Sequence, residues 1–413
     1  MDHFIFKKGE LYCEDVPVRK IVEEASTPLY IYSSATLKRH FEAFDKAFAS
    51  HPHLVCFAVK ANNNLSILNL LARLGSGADI VSGGELFRAL KAGIPAGKIV
   101  YSGVGKTLDE IRYALTSGIL MFNVESMDEL DAIKNTAAAL KKQANISFRV
   151  NPDVDPKTHP YISTGLKKNK FGLACANAIE AYHKASHMDG LKVVGISCHI
   201  GSQITETSPF VETARKIRNL VDELGRDGID LKFIDMGGGL GIKYNAEAPP
   251  KPEEYLSAIL PELSSMPQTL IIEPGRAICG NAGILVTKLL YTKDTGEKRF
   301  YIVDAAMNDL ARPSLYQAHH EIVPVEETAA ASQPVDIVGP ICETGDFFAK
   351  DRPMPPMEKG SLLAIKSAGA YGFSMSSNYN SRPRPAEVMV TGDSFRIIRH
   401  RETYENLIRG EDN

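Results

Sequence analysis

From about residue 53 to 273 the chain repeats one pattern: a short apolar run, a polar or glycine-rich turn, then an amphipathic stretch. Eight apolar runs recur, at 55–60, 78–81, 98–102, 120–124, 146–150, 193–199, 232–236 and 270–273. Each reads as a strand, and the stretches between them carry helix signals. Ser126-Met127-Asp128-Glu129 has the form of a capping box. Residues 209–224 place apolar side chains at helical spacing, with Gly225 or Gly228 as the stop. Pro252-Glu253-Glu254 suits a first helical turn. Eight alternations of strand and helix predict a closed parallel (β/α)8 TIM-like barrel rather than an open sheet. We place it over residues 28–275.

The pattern changes after about residue 280. Runs at 284–291, 299–303, 335–338, 362–366, 387–390 and 395–399 follow one another without long helices, separated by Pro, Gly and Asn. They predict an antiparallel β domain, a sandwich or small barrel. Phe4, Ile5, Phe6, Leu11 and Tyr12 also look strand-like. This N-terminal strand is expected to complete the C-terminal domain, which then comprises residues 1–27 and 276–413. Neither low-complexity sequence nor a solenoid repeat is present.

Composition narrows the function classes. A chain of 413 residues allows two or three domains, or one large barrel with a smaller partner. With 44% apolar and 23% charged residues it is globular. A net charge of −3 provides no basic field for nucleic acid or an anionic membrane. No apolar run approaches the roughly 18 residues that cross a bilayer. The first residues, MDHFIFKKGEL, are too charged for a secretory signal. The six cysteines, at 13, 56, 175, 198, 279 and 342, form no CxxC pair, so reduced thiols in a cytoplasmic protein are expected, with no metal site.

The chemistry lies in where the polar residues fall. Active sites of (β/α)8 barrels gather at the C-terminal ends of the strands. The first run ends at Lys60; the second carries Asp79 and leads into Ser82-Gly83-Gly84. The fifth contains Arg149, the sixth ends at His199, the seventh enters Gly237-Gly238-Gly239, and the eighth ends at Glu273 with Arg276 just beyond. Any one of these is unremarkable on a surface; all on one predicted face point to a site. Pyridoxal phosphate would use the set. It needs an amine for its aldehyde, a partner for its ring nitrogen and a cradle for its phosphate. Lys60 follows an apolar run whose desolvation would favour the neutral amine. Glu273 would keep the ring nitrogen protonated, His199 would stack on the ring face, and backbone N–H groups of Gly237–Gly239 would approach the phosphate. Two nucleotide motifs fail on spacing. A dinucleotide fingerprint beginning at Gly237 would need glycine at Ile242, and a Walker loop ending at Lys106-Thr107 would need it at Val100.

An ordered set of segments then resembles the diaminopimelate decarboxylases of the alanine racemase-like (fold type III) pyridoxal phosphate enzymes. It comprises FAVKANNN at 57–64, GADIVSGGEL at 77–86, SGVGKT at 102–107, FRVNP at 148–152, KFG at 170–172, CHIGSQ at 198–203, DMGGGLGI at 235–242, EPGR at 273–276, ARPSLYQAHH at 311–320, GPICETGDF at 339–347 and AGAYGFSMSSNYNSRPRPAEV at 368–388. The resemblance covers nearly the whole chain. It implies Lys60 as the lysine that binds the cofactor aldehyde, His199 stacked on the ring and Glu273 at the ring nitrogen. It implies Gly237, Gly238, Gly239, Gly275, Arg276, Ser202 and Tyr371 around the phosphate, with Asp79 and Arg149 also facing the cofactor. Arg276, Arg312, Tyr316 and Tyr371 are implied on the substrate, the arginines gripping its distal carboxylate, with Glu343 on its distal ammonium. Cys342 is implied in protonation. In this family Cys342 and Glu343 come from the neighbouring subunit, so a homodimer with shared sites is expected.

The reaction so implied is decarboxylation of meso-diaminopimelate to L-lysine, the last step of lysine biosynthesis. Ornithine, arginine and carboxynorspermidine decarboxylases share the Lys–His–Gly–Glu core but would want an acidic pocket for the substrate tail, whereas ARPSLY suits an anionic one. Alanine racemases place Arg at the ring nitrogen. A non-catalytic pyridoxal phosphate-binding homologue would typically lack the lysine or the cysteine, and both are present. His319-His320 read as surface residues, and residues 167–170 as a solvated loop.

Overall fold

The computed structural model describes residues 2–155 and 170–412. They divide into two compact units, one of residues 40–242 and 248–277, the other of residues 1–39, 243–247 and 278–413.

The first unit is a closed barrel. Its strands are His53–Ala58, Gly77–Ile80, Ile99–Tyr101, Met121–Val124, Ala144–Asn151, Leu191–Ser197, Phe233–Asp235 and Thr269–Ile272. Each pairs in parallel with the next, and the eighth returns to the first through Leu270 opposite His53. All eight expected runs are present. Cys56, Val100, Met121, Val194 and Ile271 form one buried apolar cluster. Side chains two residues apart along a strand share a face. The same alternation that buries Val100, Met121 and Ile271 therefore sets Ser102, Asn123 and Glu273 one layer further toward the C-terminal ends. An apolar floor under a polar layer follows from the sequence period alone.

Caps fix the helices that return the chain. Ser82 Oγ accepts from the Glu85 N–H at the start of Gly83–Lys91. Thr107 and Glu110 form a reciprocal box on Leu108–Ser117, which ends at left-handed Gly118. At Met127–Ala139 only half of the expected box forms. Ser126 accepts from the Glu129 N–H, but the Glu129 carboxylate is taken by Lys106 and by the Glu125 N–H. The helix Ser208–Arg226 buries Phe210, Ala214, Ile217 and Val221, runs through Gly225, and gives way to a left-handed turn at Gly228.

The second unit departs from expectation at its N-terminus. Phe4–Lys7, Glu10–Cys13 and Val16–Pro17 form a three-stranded sheet of their own that joins the C-terminal segment as expected, the Leu11 N–H donating to the Val325 carbonyl and the Glu327 N–H to that of Gly9, but they do not complete the main sheet. The strand that completes the main sheet is Leu29–Ser33, buried at every position, and residues 28–39 therefore lie in this unit rather than opening the barrel. Leu29–Ser33 lies antiparallel to Gly283–Asp294 and parallel to Ala386–Thr391. Arg299–Val303 is parallel to Gln333–Val338, so the sheet is mixed rather than purely antiparallel. The segment 4–13 turns back through left-handed Lys8 and Gly9, which pairs it with itself.

Candidate active site

Within the barrel unit a cavity of about 450 Å3 is lined by Lys60, Ser102, Asn123, Arg149, His199 and Glu273, among others. Four of the expected site residues, Lys60, Arg149, His199 and Glu273, thus meet in one space. Lys60 sits in the single 3-10 turn Val59–Ala61 that ends the first strand. Its Nζ donates to Oδ2 of fully buried Asp79. The amine is therefore held against a carboxylate, not sheathed in apolar side chains as the preceding run suggested. Asp79 Oδ1 is buried with no hydrogen-bond partner among the described residues.

Opposite lies an acid pair. Asn123 Nδ2 donates to Asp235 Oδ2 at 3.1 Å, with Glu273 Oε1 at 3.4 Å and Ser102 Oγ at 3.0 Å. Ser147 Oγ donates to Asn123 Oδ1 at 2.5 Å, fixing the amide so that its NH2 faces the carboxylates. Burial, then the neighbouring Asp235 and Asp79, pushes Glu273 well above the ordinary carboxylate range. Burial likewise pushes Asp235 up to about 6. Burial and mutual repulsion both oppose ionising the two carboxylates together, which favours one shared proton over two full charges.

His199 is held by backbone. Its Nδ1 accepts from the Gly238 N–H at 3.1 Å, which leaves the hydrogen of the neutral ring on Nε2. Burial, then the Arg149 and Lys60 cations, holds the imidazole well below its usual range. The glycine turn is dictated by close packing. A Cβ at Gly237 would stand 2.4 Å from the Cys198 carbonyl oxygen, one at Gly238 2.3 Å from that of Glu273, and one at Gly239 2.6 Å from that of Gly201. Two of its amides are already engaged, Gly237 on Asp235 Oδ1 and Gly238 on His199. This narrows the expected phosphate cradle: these two N–H groups serve the acid pair and the imidazole. Arg276 Nη2 donates to Ser202 Oγ at 3.1 Å, which brings two further expected residues together. A Cβ at Gly275 would press on Ala58 and Ala61 beside Lys60, at 3.0 and 2.9 Å.

Arg149 exposes a missed organiser, Glu125. Its Oε1 accepts from Arg149 Nη1 at 3.0 Å and from the Gly103 N–H at 3.2 Å, and its Oε2 from the Gly172 N–H at 2.7 Å. Behind it buried Lys106 pairs with Glu129 at 2.7 Å and donates to the Gly103 and Asn123 carbonyls. One signal for Asn123, Ser147 and Asp235 was available: a polar residue inside an otherwise apolar run. Glu125 and Lys106 carry no such signal, because in sequence they read as ordinary turn charges.

The remaining expected residues lie in the second unit. Arg312 is buried at the start of the short helix Arg312–Tyr316. Cys342 and Glu343 are exposed on a loop that is tied at several points. Ser314 Oγ donates to the Gly345 carbonyl at 2.5 Å, Asn380 Oδ1 accepts from the Cys342 N–H at 3.0 Å, and Asp346 Oδ2 accepts from the Ile341 N–H at 2.8 Å. Tyr371 takes a left-handed backbone, φ 54°, between Gly369 and Gly372. His320, expected at the surface, is completely buried. Of residues 167–170, only Lys170 is described; 167–169 lie outside the described residues.

An amine and a buried carboxyl in one cavity are two of the groups that pyridoxal phosphate requires, and the flat His199 ring beside them suits its ring face. Comparison with known proteins points the same way. Residues 34–280 match the family model for the pyridoxal-binding domain of pyridoxal-dependent decarboxylases. The diaminopimelate decarboxylase of Pseudomonas aeruginosa is 52% identical over 100% of this chain and 99% of its own length. That of Aquifex aeolicus is 52% identical over 98% and 96%. Among solved structures, the M. jannaschii diaminopimelate decarboxylase superposes with a TM-score of 0.95 at 40% identity, covering 100% of this chain and 98% of that one. The Helicobacter pylori diaminopimelate decarboxylase complexed with L-lysine gives 0.92 at 47%, covering 95% and 98%.

Proposed function

The chain belongs to the diaminopimelate decarboxylases, a pyridoxal-dependent family, and from that premise we propose how its side chains divide the work. Its activity is the removal of carbon dioxide from meso-diaminopimelate to give L-lysine, the last step of lysine biosynthesis, with pyridoxal 5′-phosphate as cofactor. When bound, the cofactor supplies an electron sink for the pair released as the carboxylate leaves.

Lys60 anchors the cofactor, and Asp79 holds the Lys60 amine at the end of the first strand until it does so. Glu273 holds a proton where the ring nitrogen sits; its shared environment with Asp235 supplies that proton before any ligand arrives. His199 presents a flat neutral face, orienting the ring without adding charge. Arg149, fixed by Glu125, supplies positive charge beside it. Ser202, Gly239, Gly275, Arg276 and Tyr371 hold the phosphate. Arg276, Arg312, Tyr316 and Tyr371 receive the end of the substrate that does not react, where planar guanidinium groups pair with a carboxylate through two parallel hydrogen bonds. Glu343 accepts from the distal ammonium. Cys342 delivers a proton to the carbon that lost carbon dioxide.

We assign Cys342 and Glu343 to the site of a second copy, making the working unit a homodimer; their exposure on a firmly tied loop supports this reading. Six free thiols, and no helix among the described residues long and apolar enough to cross a membrane, support a cytoplasmic location.

The observation that carries the assignment of roles is the meeting of Lys60, His199 and Glu273 in one cavity. Borohydride reduction of the holoprotein followed by peptide mapping tests it. The label is expected on Lys60, and a label on any other lysine overturns the assignment.

A further inference from the structure

Arg312 is held in a particular way. Its Nη1 donates to His320 Nε2 at 2.8 Å, and its guanidinium lies 4.4 Å from the centre of the Tyr244 ring. His320 in turn meets the Lys366 carbonyl through Nδ1 at 2.8 Å and stands edge-on to Tyr244 at 5.3 Å. The His320 carbonyl accepts from Arg352 Nη1 at 2.9 Å. A carbonyl can only accept and a guanidinium can only donate. The imidazole is therefore the Nδ1–H tautomer, with its Nε2 lone pair aimed at Arg312. A fully buried side chain with both ring nitrogens engaged has one orientation.

We propose that His320 is a positioning residue for substrate specificity: its Nε2 sets the plane of Arg312, and with it the angle at which the guanidinium meets the distal carboxylate. A neutral acceptor suits that task, because it orients the cation without adding a counter-charge, and paired recognition of a carboxylate depends on the plane of the fork. The inference rests on the assignment of Arg312 to the distal carboxylate.

The two ring nitrogens can be replaced one at a time. An asparagine amide reaches the place of Nδ1, and a glutamine amide that of Nε2. His320→Asn keeps a donor for Lys366 but takes the Nε2 acceptor away from Arg312 Nη1, whereas His320→Gln keeps an oxygen for it. Decarboxylation at one centre leaves the distal carboxylate on L-lysine, so calorimetric binding of L-lysine to the holoenzyme reads the grip without turnover. Loss of a hydrogen bond to a charged group is expected to weaken L-lysine about tenfold in His320→Asn, against less than about threefold in His320→Gln. KM for meso-diaminopimelate is expected to rise in the same ratio, with kcat and cofactor absorbance close to those of the unaltered enzyme. Equal effects of the two substitutions, or a loss confined to kcat, overturn the proposal. Should His320→Asn not fold, His320→Gln decides alone: near-normal L-lysine binding supports the proposal, and a tenfold loss overturns it. Arg312→Ala separates the two levels, since unchanged L-lysine binding in that variant removes the carboxylate assignment itself, whatever the His320 pair gives.

Discussion

The two units hold their reactive side chains by opposite means. In the barrel, strand register does the placing. Asn123, Ser147, Asp235 and Glu273 stand one alternation beyond an apolar layer, and each is tied to another member of the same ring. In the β unit the chemistry sits on short turns held by a few side-chain contacts: Arg312 by His320 and Tyr244, the Cys342 loop by Ser314, Asn380 and Asp346. A register-placed group is fixed by the backbone ladder of its strand, and its neighbours are other polar or charged side chains. A tethered group can be loosened one bond at a time. The barrel should therefore respond to substitution steeply and through its electrostatics, the β unit gradually and through affinity.

The steepest response belongs to Lys60. Lys60→Ala removes the only amine lining the cavity among the described residues and leaves Asp79 buried without its cation. Turnover is expected to fall roughly 10³-fold or more, the range seen when a covalent anchor is lost, together with the absorbance band of bound cofactor. Turnover measured with saturating cofactor checks this. A loss smaller than tenfold would put the barrel on the same footing as the β unit and dissolve the contrast.

The same contrast explains what was legible in sequence. Eight strands could be read because an apolar run followed by an amphipathic stretch has a single interpretation when repeated. The Lys60, His199 and Glu273 positions followed because strand ends are where barrels concentrate chemistry. Glu125 and Lys106 could not be read, since a charge in a turn looks alike whether it faces water or a neighbouring loop. His320 was misread for a related reason: its burial comes from Tyr244, Lys366 and Arg352, all distant in sequence. Leu29–Ser33 was missed because it lies before the repeating pattern and its partners follow more than 250 residues later. Period reports local structure, whereas tethering contacts are long-range and leave no period.

A middle-sized response is expected at Asp235, and here pH gives the sign. Its carboxyl is pushed up to about 6 in the folded chain, from an ordinary 3.8. The folded form thus binds this proton more tightly than the unfolded form. Stability from this group is present at low pH, falls as pH rises from about 4 to 6, and stays lost above that. Asp235→Asn removes the ionisation while keeping an oxygen for the Gly237 N–H. The substitution also turns an amide N–H toward Asn123 Nδ2, a cost that does not depend on pH, so the expected signature is a difference: relative to the unaltered cofactor-free protein, the variant is expected to be on the order of 1–3 kcal/mol better off at pH 8 than at pH 4. Denaturant titration at the two pH values checks it. Equal effects at both would mean that the acid pair is held by packing, not by charge, and that the barrel does not differ electrostatically from the β unit.

The smallest response is expected where tethering is most redundant. Ser314→Ala deletes the hydroxyl that joins the Arg312–Tyr316 helix to the Gly345 carbonyl. The loop keeps its bonds from Ile341 to Asp346 and from Cys342 to Asn380, and Asp346 is itself fixed by the Met307 N–H at 2.7 Å. One bond among several should cost about 1 kcal/mol of stability, read as a small drop in thermal midpoint. With Cys342 still anchored on both sides, kcat should stay within about threefold of the unaltered enzyme, and cofactor absorbance should not move. A tenfold loss of kcat with normal stability would mean that the Ser314 bond sets the position of Cys342 at the moment of proton delivery. The β unit would then place its chemistry as strictly as the barrel does, through one hydroxyl in place of a sheet.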